Sequence, residues 1–380
     1  MTPLHRGAAH RLRVTAIESL TEDAIAVTLA VPDRLRDAFR FTPGQHLTFI
    51  RNQHDLEIRR SYSICSPPGG GLRVAIKQLP GGVFSSWAHD ALRPGDELTA
   101  MAPQGRFVLT VDPRRSAHYA AVAAGSGITP ILAILGAALN GEPRSRCTLL
   151  YGNRSTGSIM FLDELNDLKD RYGERLQLVH VLSREPQPAP LAEGRIDADK
   201  LNLILDTLLP ASVDQWFLCG PLALVQAARA TLRDRGVPGA AIHRELFFAA
   251  DASRSRSPSL GAVDAARATP ATRTAVDAGG AQAATLTGSR VSIVLDGRRT
   301  ELVIAPDGPA ILDALLDRRP DAPFACRGGV CGTCRCRVVV GAVRMDHAYA
   351  LEDDEIENGV ALACQAHPTS ERVVLDFDSV

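Results

Sequence analysis

The sequence predicts a multi-domain protein with an antiparallel β-barrel, then an α/β domain built on a parallel sheet, and then a small C-terminal domain that carries cysteines. Three observations support this prediction. Strand-like segments separated by Pro-Gly and Gly-Gly turns come first, alternating apolar strands and helices follow, and four closely spaced cysteines lie beyond a stretch without aromatic residues. A chain of 380 residues also exceeds a typical single core, so two or three domains are expected.

The segment pattern puts the barrel at residues 10–113, the α/β domain at 114–248, a linker at 249–288 and the last domain at 289–380. The barrel prediction rests on the runs RLRVTAIESL, AIAVTLAVP, HLTFIR, LRVAIKQL and DELTAMAP. The α/β prediction rests on HYAAVAA, CTLLYGN, LQLVHVLS and QWFLCG, with helical runs between them. The linker is almost entirely Ala, Arg, Ser, Thr, Gly, Pro and Asp, which bury too little apolar surface to offset their ordering entropy, so we expect a flexible tether.

Composition and charge narrow the functional classes. A net charge of −1 gives no indication of nucleic-acid binding, and a hydrophobic content of 45% is ordinary for globular proteins. The N-terminal residues lack the apolar stretch of a signal peptide, and the longest apolar run, ITPILAILGAAL, is too short to span a bilayer. We therefore expect a cytoplasmic protein whose eight cysteines serve metal or redox chemistry.

The run CRGGVCGTCRC contains the most specific motif of the chain. Cys326, Cys331 and Cys334 follow a C-x4-C-x2-C spacing, with Cys364 as a distant fourth cysteine, a pattern typical of plant-type [2Fe–2S] clusters. The glycines of the loop give the backbone the freedom to present three thiolates together. A structural zinc site and a disulfide knot are the alternatives. Cys336, at the start of CRVVV, is predicted to lie in the core rather than to bind the cluster.

One strand of the barrel carries side chains suited to a flavin. In RRSYSICSPP, Arg60 and Tyr62 share one face of the strand, and Ser63 follows them. Arginine binds phosphate through its planar fork, tyrosine can lie along a flavin ring, and a serine hydroxyl can reach the reacting nitrogen. Taken alone, the same strand is equally compatible with ordinary surface chemistry.

The α/β half contains a glycine loop suited to a pyrophosphate. AAGSGITP follows a predicted strand and opens a helix, so that backbone N–H groups at Gly125 and Gly127 can contact phosphate oxygens. The loop departs from the common dinucleotide pattern because Pro130 stands in place of the third glycine, although proline is acceptable in a first helical turn. A glycine loop is weak evidence by itself.

The order of the motifs RxYS, GGxxS in GGVFSS, GSGITP and CGP in FLCGP resembles the ferredoxin–NADP⁺ reductase superfamily over residues 10–248. The C-terminal region resembles a plant-type ferredoxin, which implies a β-grasp (α+β) fold. Among such fusions, several stretches most resemble the reductase subunits of phenylacetyl-CoA epoxidase (ring-1,2-epoxidase) complexes. These stretches are FTPGQHLTF, RRSYSIC, AAGSGITP, LYGNRS, FACRGGVCGTCRCRV and ALEDDEIENGVALACQA.

The resemblance implies FAD in the barrel domain, and FMN is the alternative because dioxygenase reductases with this domain order can use it. The residues implied to hold the flavin are Arg60, Tyr62, Ser63, Gly82, Val83, Phe84, Ser85 and Phe247. Ser63 and Glu245 are implied at the reacting edge of the flavin, as catalytic residues. Phe247 is equally consistent with a buried residue at the end of the last strand.

The resemblance also implies a pyridine-nucleotide site in the α/β domain. Its implied residues are Gly125, Gly127, Thr129, Pro130, Gly220 and Pro221, with Cys219 as a catalytic residue near the hydride path. LYGNRS and VLSRE favour NADPH over NADH, because arginine accommodates a 2′-phosphate and no acidic residue awaits a ribose diol after LLYGN. The residues implied to meet that phosphate are Arg154, Ser155, Ser183 and Arg184.

These parts imply an electron path. NADPH delivers a hydride to the flavin, which releases single electrons to the cluster held by Cys326, Cys331, Cys334 and Cys364, and the tether lets the cluster move between flavin and acceptor. The sequence has no paired Glu-x-x-His motif of a di-iron bundle, so the resemblance implies a partner, the di-iron oxygenase of a multicomponent complex. A possible docking face, more commonly only a solvated turn, is the acidic run Glu352, Asp353, Asp354, Glu355 and Glu357.

Three other interpretations stay open on the sequence alone. The reductase of an aromatic-ring dioxygenase or other monooxygenase shares every cofactor motif and differs only in its partner. A zinc-binding or redox-sensing regulator belongs to another class and would contain zinc or no iron. A docking module without chemistry is the third, and the intact ligand sets in both halves count against it.

Overall fold

The computed structural model describes residues 9–53, 56–67, 69–209, 212–247 and 288–380. The chain divides into two compact units, of which the first contains the described residues up to 247 and the second those from 288. The first unit consists of a β-barrel followed by an α/β sheet, and the second is a small α+β domain. Within these ranges, no helix combines the length and the apolar character needed to cross a membrane.

A six-stranded antiparallel sheet forms the barrel. Its strands are β1 (Ala9–Thr21), β2 (Ala24–Ala30), β3 (His46–Gln53), β4 (Leu56–Ser63), β5 (Leu72–Lys77) and β6 (Glu97–Met101). They pair in the order β4-β3-β6-β1-β2-β5. A bridge between Ile64 and Val74, next to a 2.9 Å hydrogen bond from the Cys65 amide to the Arg73 carbonyl, joins the two edge strands. The sheet therefore closes, which confirms the predicted barrel.

The barrel is filled by one face of its strands and by a helix. Leu12 and Val14 of β1 are fully buried while Arg13 between them is exposed, which is the period expected of a half-buried strand. Helix α1 (Val83–Ala91), which the sequence did not predict, places the Phe84 ring against Phe49 with centroids 6.0 Å apart. Burying apolar side chains of this size contributes about 1.5–3 kcal/mol each to stability.

The α/β part alternates strands and helices. These are β7 (His118–Ala124), α2 (Ile128–Gly141), β8 (Arg146–Asn153), α3 (Leu162–Tyr172), β9 (Leu176–Leu182), α4 (Ala198–Leu208), β10 (Gln215–Gly220), α5 (Leu222–Asp234) and β11 (Ile242–Leu246). The strands pair in the order β11-β10-β7-β8-β9, all parallel, which confirms the predicted sheet. The chain runs outward from β7 to β9 and returns on the other side of β7, so β7 and β10 flank the switch point where such sheets bind ligands.

A buried carboxylate ties the segment between barrel and sheet to the α/β core. Glu142 is fully buried, and its oxygens accept hydrogen bonds from the Tyr119 hydroxyl at 2.8 Å and the Ser145 hydroxyl at 2.7 Å. The backbone N–H of Asp112 donates to it at 2.9 Å, and the Arg115 guanidinium pairs with it at 3.2 Å. A buried carboxylate needs such partners, and two of them, Asp112 and Arg115, belong to the connecting segment. Glu142 therefore holds this segment against the α/β core.

The second unit is an α+β domain that contains the cysteine loop. Its elements are β12 (Ser289–Leu295), β13 (Arg298–Ile304), α6 (Ile311–Leu316), β14 (Arg335–Val340), β15 (Val343–Met345), α7 (Asp353–Glu357), β16 (Val360–Leu362), β17 (Ala366–Pro368) and β18 (Arg372–Asp376). Five strands pair in the order β13-β12-β18-β14-β16, with only β12 and β18 parallel, and β15 pairs with β17. This mixed sheet agrees with the expected ferredoxin fold. Cys336 is fully buried in β14, which confirms that it is a core residue.

The predicted linker, residues 249–288, lies outside the described residues except for Gly288. The last described residue of the first unit is Phe247, and the first of the second unit is Gly288. The role of the linker as a tether and the domain boundaries therefore stay predictions.

Candidate active site and iron–sulfur centre

Strand β4 positions two of the predicted flavin residues. Tyr62 is partly buried in an aromatic cluster, with its ring centroid 5.9 Å from that of Phe49 and 5.6 Å from that of Phe84. Burial raises the pKa of the Tyr62 phenol above its ordinary value, so the ring stays neutral. Arg60 is exposed, and its guanidinium donates to the Arg59 carbonyl at 2.7 Å. A neutral aromatic ring near a surface guanidinium suits a flavin that carries phosphate.

The residues predicted to contact the flavin phosphate lie at the start of α1. Gly82 precedes the helix, and the next three residues form its first turn, where backbone N–H groups lack helical partners. Val83 is exposed, Phe84 is buried, and the buried Ser85 hydroxyl accepts from the Leu79 amide at 3.1 Å. A Cβ at Gly82 would come within 2.4 Å of Ser85 Oγ, so a larger residue there would displace the Ser85 hydroxyl. The turn fits a pyrophosphate through its backbone donors, whereas the Ser85 hydroxyl supports the loop.

Three strands bring Ser63, Cys219 and Glu245 together. The Ser63 hydroxyl at the end of β4 donates to Oε2 of Glu245 at 2.9 Å, which links the barrel to β11. Cys219 is the neighbour of Glu245 in the parallel register of β10 and β11. Burial, and then the Glu245 carboxylate, raise the pKa of the Cys219 thiol well above its ordinary value. The switch point of the sheet therefore holds a neutral thiol, a carboxylate and a hydroxyl.

His46 is a further member of this group that the sequence did not indicate. It is 3% exposed, it stands opposite Ser63 in the register of β3 and β4, and its Nδ1 lies 3.8 Å from Oε1 of Glu245. Its Nε2 is buried without a hydrogen-bond partner in the described part of the chain. A Cβ at Gly105 would come within 3.0 Å of Nδ1, so glycine at that turn leaves room for the imidazole. This contact depends on the pairing of β3 with β4 and on the packing of the barrel against β11, which the sequence does not show.

The glycine loop between β7 and α2 lies against the end of β10. A Cβ at Gly127 would come within 2.3 Å of the Cys219 carbonyl oxygen, so only glycine permits this approach. The Tyr151 hydroxyl donates to the Gly125 carbonyl at 2.9 Å, and the buried Thr129 hydroxyl donates back into the loop at 2.9 Å. These side chains hold the loop in a shape that fits the pyrophosphate of a pyridine nucleotide. Thr129 supports the loop through its hydrogen bond to the Ser126 carbonyl.

The other predicted residues at this edge of the sheet have backbone or packing roles in the fold. Pro130 is buried in the first turn of α2, and Gly220, with a φ of +153°, ends β10 immediately before Pro221. The Phe247 amide donates to the Gly220 carbonyl at 3.0 Å, and its partly buried ring packs against the α/β core. This packing favours the core interpretation of Phe247, and its contact with a flavin stays a prediction.

A cavity of about 560 Å³ lies beside the loops that follow β8 and β9. It is lined by Arg154, Ser155 and Arg184 from the predicted phosphate-binding set. Ser158 also lines it, although the sequence did not single out that residue. Ser183 is not among the lining residues, and its hydroxyl donates to the Asn153 carbonyl at 3.2 Å. The fold thus gathers three members of the predicted set around one cavity, and their contact with a phosphate stays a prediction.

The barrel contributes two carboxylates to the same cavity. Glu22 and Asp23 line it, with Oδ2 of Asp23 2.9 Å from the Arg154 guanidinium and Oδ1 3.2 Å from Lys77 Nζ. Burial by itself would raise the pKa of Asp23, but the Thr21 hydrogen bond and the two cations outweigh burial and lower that pKa. The cavity wall therefore combines cations with carboxylates that the sequence did not connect with coenzyme binding.

The four predicted cluster ligands lie in the second unit, where Cys331 is the neighbour that most strongly shifts the pKa of Cys326, and Cys364 is that neighbour for Cys334. Among the described residues, no three His, Cys, Asp or Glu side chains are already arranged as a metal site. The backbone N–H groups of Gly328 and Cys331 donate to Cys326 Sγ at 3.4 Å. In a [2Fe–2S] cluster with four thiolates, each iron takes two, so this donor set fits the cluster.

The surroundings lower the pKa of the Cys326 and Cys364 thiols and raise that of the Cys331 and Cys334 thiols, while the loop glycines allow a close approach of the backbone. The Cys331 thiol, with smaller contributions from loop N–H groups, lowers the pKa of Cys326 to about 5. Gly329 has a φ of +73°, and a Cβ there would come within 2.7 Å of the His347 carbonyl oxygen. The Gln365 amide donates to the Arg327 carbonyl at 2.8 Å, which braces the loop from the other side. Thiolates are the form that binds iron, and Cys326 and Cys364 are the members of the set that lose their protons most readily.

The predicted acidic docking run begins helix α7. Glu352 and Glu355 form reciprocal hydrogen bonds at the helix start, and the Glu355 carboxylate pairs with the Arg335 guanidinium. Glu355 is therefore engaged within its own domain. The exposed members of the run are Asp353, Asp354 and Glu357.

Three domain families match the chain. The oxidoreductase FAD-binding domain matches residues 11–109, the oxidoreductase NAD-binding domain matches residues 121–230, and the 2Fe-2S iron-sulfur cluster binding domain matches residues 293–369. These matches support an oxidoreductase with FAD, a pyridine-nucleotide site and a [2Fe–2S] cluster.

Similar proteins span nearly the whole chain. It is 42% identical to one subunit of the 1,2-phenylacetyl-CoA epoxidase of Escherichia coli (strain K12), over 97% of this chain and 98% of the relative. It is 32% identical to the ferredoxin reductase component of 3-ketosteroid-9-alpha-monooxygenase of Rhodococcus rhodochrous, over 96% of each. The solved structure of phthalate dioxygenase reductase matches with a TM-score of 0.55 and 22% identity, over 97% of this chain and 98% of that one. This last similarity shows the same three-part fold.

Proposed function

The chain belongs to the family of flavin- and iron–sulfur-containing reductase components, and we propose that it supplies electrons from NADPH to a phenylacetyl-CoA epoxidase. The observation that carries this proposal is the 42% identity to the epoxidase subunit over nearly the full length of both chains. We propose the di-iron oxygenase component as the acceptor. We also assign the protein to the cytoplasm, where reducing conditions keep its eight cysteines available for the cluster and the core.

The hydride site is assigned to the residues at the switch point. FAD, when bound, supplies the conversion of a two-electron hydride into single electrons. The Ser63 hydroxyl and the Glu245 carboxylate, joined at 2.9 Å, hold or move a proton at this edge of the flavin. Cys219, which is fully buried and stays a thiol, excludes water beside them. Gly125 and Gly127 admit the pyrophosphate of the coenzyme.

The one-electron site is assigned to the cysteine loop. Its ligands are Cys326, Cys331, Cys334 and Cys364, and the mutual influence of Cys326 with Cys331 and of Cys334 with Cys364 supports this set. The N–H groups of Gly328 and Cys331, which face Cys326 Sγ at 3.4 Å, stabilise the thiolate and influence the reduction potential of the cluster. A purified protein with flavin and iron–sulfur absorption that NADPH bleaches is the expected result. A colourless protein that contains zinc would instead support a regulator.

The preference for NADPH rests on Arg154 and Arg184, which line one cavity of the α/β part. An arginine presents two parallel donors to a phosphate, and a hydrogen bond to a charged group contributes about 1.5–3 kcal/mol. We therefore expect Arg154→Ala and Arg184→Ala each to raise the KM for NADPH about tenfold or more while the KM for NADH changes little. Steady-state reduction of ferricyanide with both coenzymes measures this. A wild-type protein that uses NADH more efficiently overturns the NADPH assignment.

The acceptor is tested by reconstitution with purified oxygenase components. With the phenylacetyl-CoA epoxidase oxygenase, we expect NADPH oxidation that depends on phenylacetyl-CoA and forms an oxygenated CoA product. The matched comparison uses the oxygenase of a ring dioxygenase or of a steroid monooxygenase, because the chain is also 32% identical to a ketosteroid monooxygenase component. Coupled turnover only with one of those partners would support the second candidate function and reject the first.

A further inference from the structure

A turn of the barrel reaches the cavity that carries the proposed phosphate-binding residues. Asp23 lies between β1 and β2, and it lines this cavity together with Arg154 and Arg184 from the α/β part. Oδ2 of Asp23 accepts a hydrogen bond from the Arg154 guanidinium at 2.9 Å. The Asp23 carboxylate is therefore paired with the Arg154 guanidinium, the group that binds the 2′-phosphate of the coenzyme in the proposed function.

The two oxygens of Asp23 have separate partners. Oδ1 accepts a 2.8 Å hydrogen bond from the Thr21 hydroxyl and lies 3.2 Å from Lys77 Nζ, whereas Oδ2 faces Arg154. If Arg154 turns away, the carboxylate keeps Thr21 and Lys77. The Thr21 hydroxyl and the Lys77 ammonium continue to compensate the Asp23 carboxylate, so Arg154 can change partner at little cost.

The pair between Asp23 and Arg154 is weak enough to be exchanged. The Arg154 side chain is 52% exposed and the Asp23 side chain is 29% exposed. Ion pairs that water reaches contribute little, because solvent screens the attraction and both side chains lose freedom. A phosphate can bind the same guanidinium through two parallel hydrogen bonds and carries more negative charge. A 2′-phosphate therefore displaces the carboxylate, while a ribose hydroxyl does not.

We propose that Asp23 is a specificity-determining residue, which holds Arg154 in the free protein and yields it to the 2′-phosphate of the coenzyme. The inference rests on the proposed NADPH site and adds a barrel residue to it. Because the ion pair must be broken first, Asp23 weakens binding of the 2′-phosphate below what Arg154 and Arg184 would otherwise provide. A coenzyme without that phosphate leaves the pair in place.

The test compares 2′-AMP with 5′-AMP, which differ only in the position of the phosphate and undergo no redox reaction. Binding of each to the full-length protein is measured by isothermal titration calorimetry. We expect Asp23→Asn to tighten 2′-AMP binding about three- to fivefold, the range of one exposed ion pair, and to leave 5′-AMP binding unchanged. Asparagine keeps the size of the side chain and can still accept from Thr21, and Asp23→Ser serves as a second variant if the turn is disturbed.

Glu22→Gln is the matched control, because it removes one negative charge from the same cavity wall without touching the pair between Asp23 and Arg154. Equal tightening by both variants would assign the effect to overall charge and overturn the exchange. Unchanged or weaker 2′-AMP binding in Asp23→Asn overturns it as well. If the wild type binds both nucleotides equally but Asp23→Asn prefers 2′-AMP, the exchange stands and the NADPH preference fails. If neither protein discriminates, both fail.

Discussion

The cluster loop and the hydride site handle the same electrons, but the sequence encodes them in different ways. Cys326, Cys331 and Cys334 lie in one short loop, and their spacing, with Cys364 as the fourth cysteine, is what predicts a [2Fe–2S] cluster. Ser63 and Glu245 are 182 positions apart, and they meet only because a barrel strand ends beside the last strand of the parallel sheet. The first site depends on local chain geometry, whereas the second depends on the packing of two sheets. Each can therefore be broken without the other.

The largest expected effect is the loss of the locally encoded site. Cys331→Ala removes one thiolate of a four-thiolate set, so we expect loss of essentially all iron and of electron transfer to cytochrome c, while the flavin still reduces ferricyanide. Iron and sulfide assays with the visible spectrum measure this. Cys336→Ala is the control. Cys336 is fully buried in β14 and is not a proposed ligand, so this variant protein should keep its iron. Equal iron loss in both variants would contradict the ligand assignment.

The second-largest effect is expected on the stability of the first unit, where Glu142 joins the segment after the barrel to the α/β core. Glu142→Ala leaves the partners of a fully buried carboxylate unsatisfied, so the free energy of unfolding should fall by about 3–5 kcal/mol. Urea unfolding, monitored by the release of flavin, measures this change. Glu174 is exposed, so Glu174→Ala is the control, and its free energy of unfolding should lie within about 0.5 kcal/mol of the wild-type value. The iron–sulfur absorption should outlast flavin release in the variant. Loss of both signals together would argue against a role confined to the first unit.

An intermediate effect is expected inside the hydride site. Ser63→Ala removes a 2.9 Å hydrogen bond to a carboxylate, which is worth about 1.5–3 kcal/mol, so flavin reduction should slow about ten- to a hundredfold. Stopped-flow mixing with NADPH measures the rate. Ser61→Ala is the matched control, because Ser61 lies on the same strand and bonds to Thr48 at 3.1 Å instead. Comparable slowing in both variants would show that disturbance of β4, rather than the link to Glu245, causes the effect.

The smallest effect is a pH dependence of the first unit. His118 is 5% exposed, its Nε2 lies 2.9 Å from the Thr148 hydroxyl, and burial lowers its pKa below the ordinary value of 6.5. The folded state thus favours the neutral ring, so this stability is fully present above pH 6.5 and falls as the pH drops through the lowered pKa. In thermal unfolding, the stability of His118→Gln should fall less steeply than that of the wild type between neutral and mildly acidic pH. Parallel curves for variant and wild type would exclude His118 as the cause.

Much of the fold could be predicted because its signals are periodic and local. Alternation around Leu12 and Val14 indicates a strand, and the long apolar run at α2 indicates a buried helix. Helices α1 and α4 were not predicted, because short helices with mixed polarity give a weak signal. The hydrogen bond of Ser183 to the Asn153 carbonyl and the ion pair of Glu355 with Arg335 could not be predicted, since neither is visible without the neighbouring strand.

By itself, the sequence determined the order of the three domains and the ligand set proposed for the cluster, because strand period, helix period and cysteine spacing are properties of neighbouring residues. Only the tertiary structure decided that His46 faces Glu245 and that Asp23 holds Arg154. Both contacts join the barrel to the α/β part, and they depend on the register of strands and the docking of two sheets. Those are set by the free energy of the whole packed unit, which no short stretch of the chain contains.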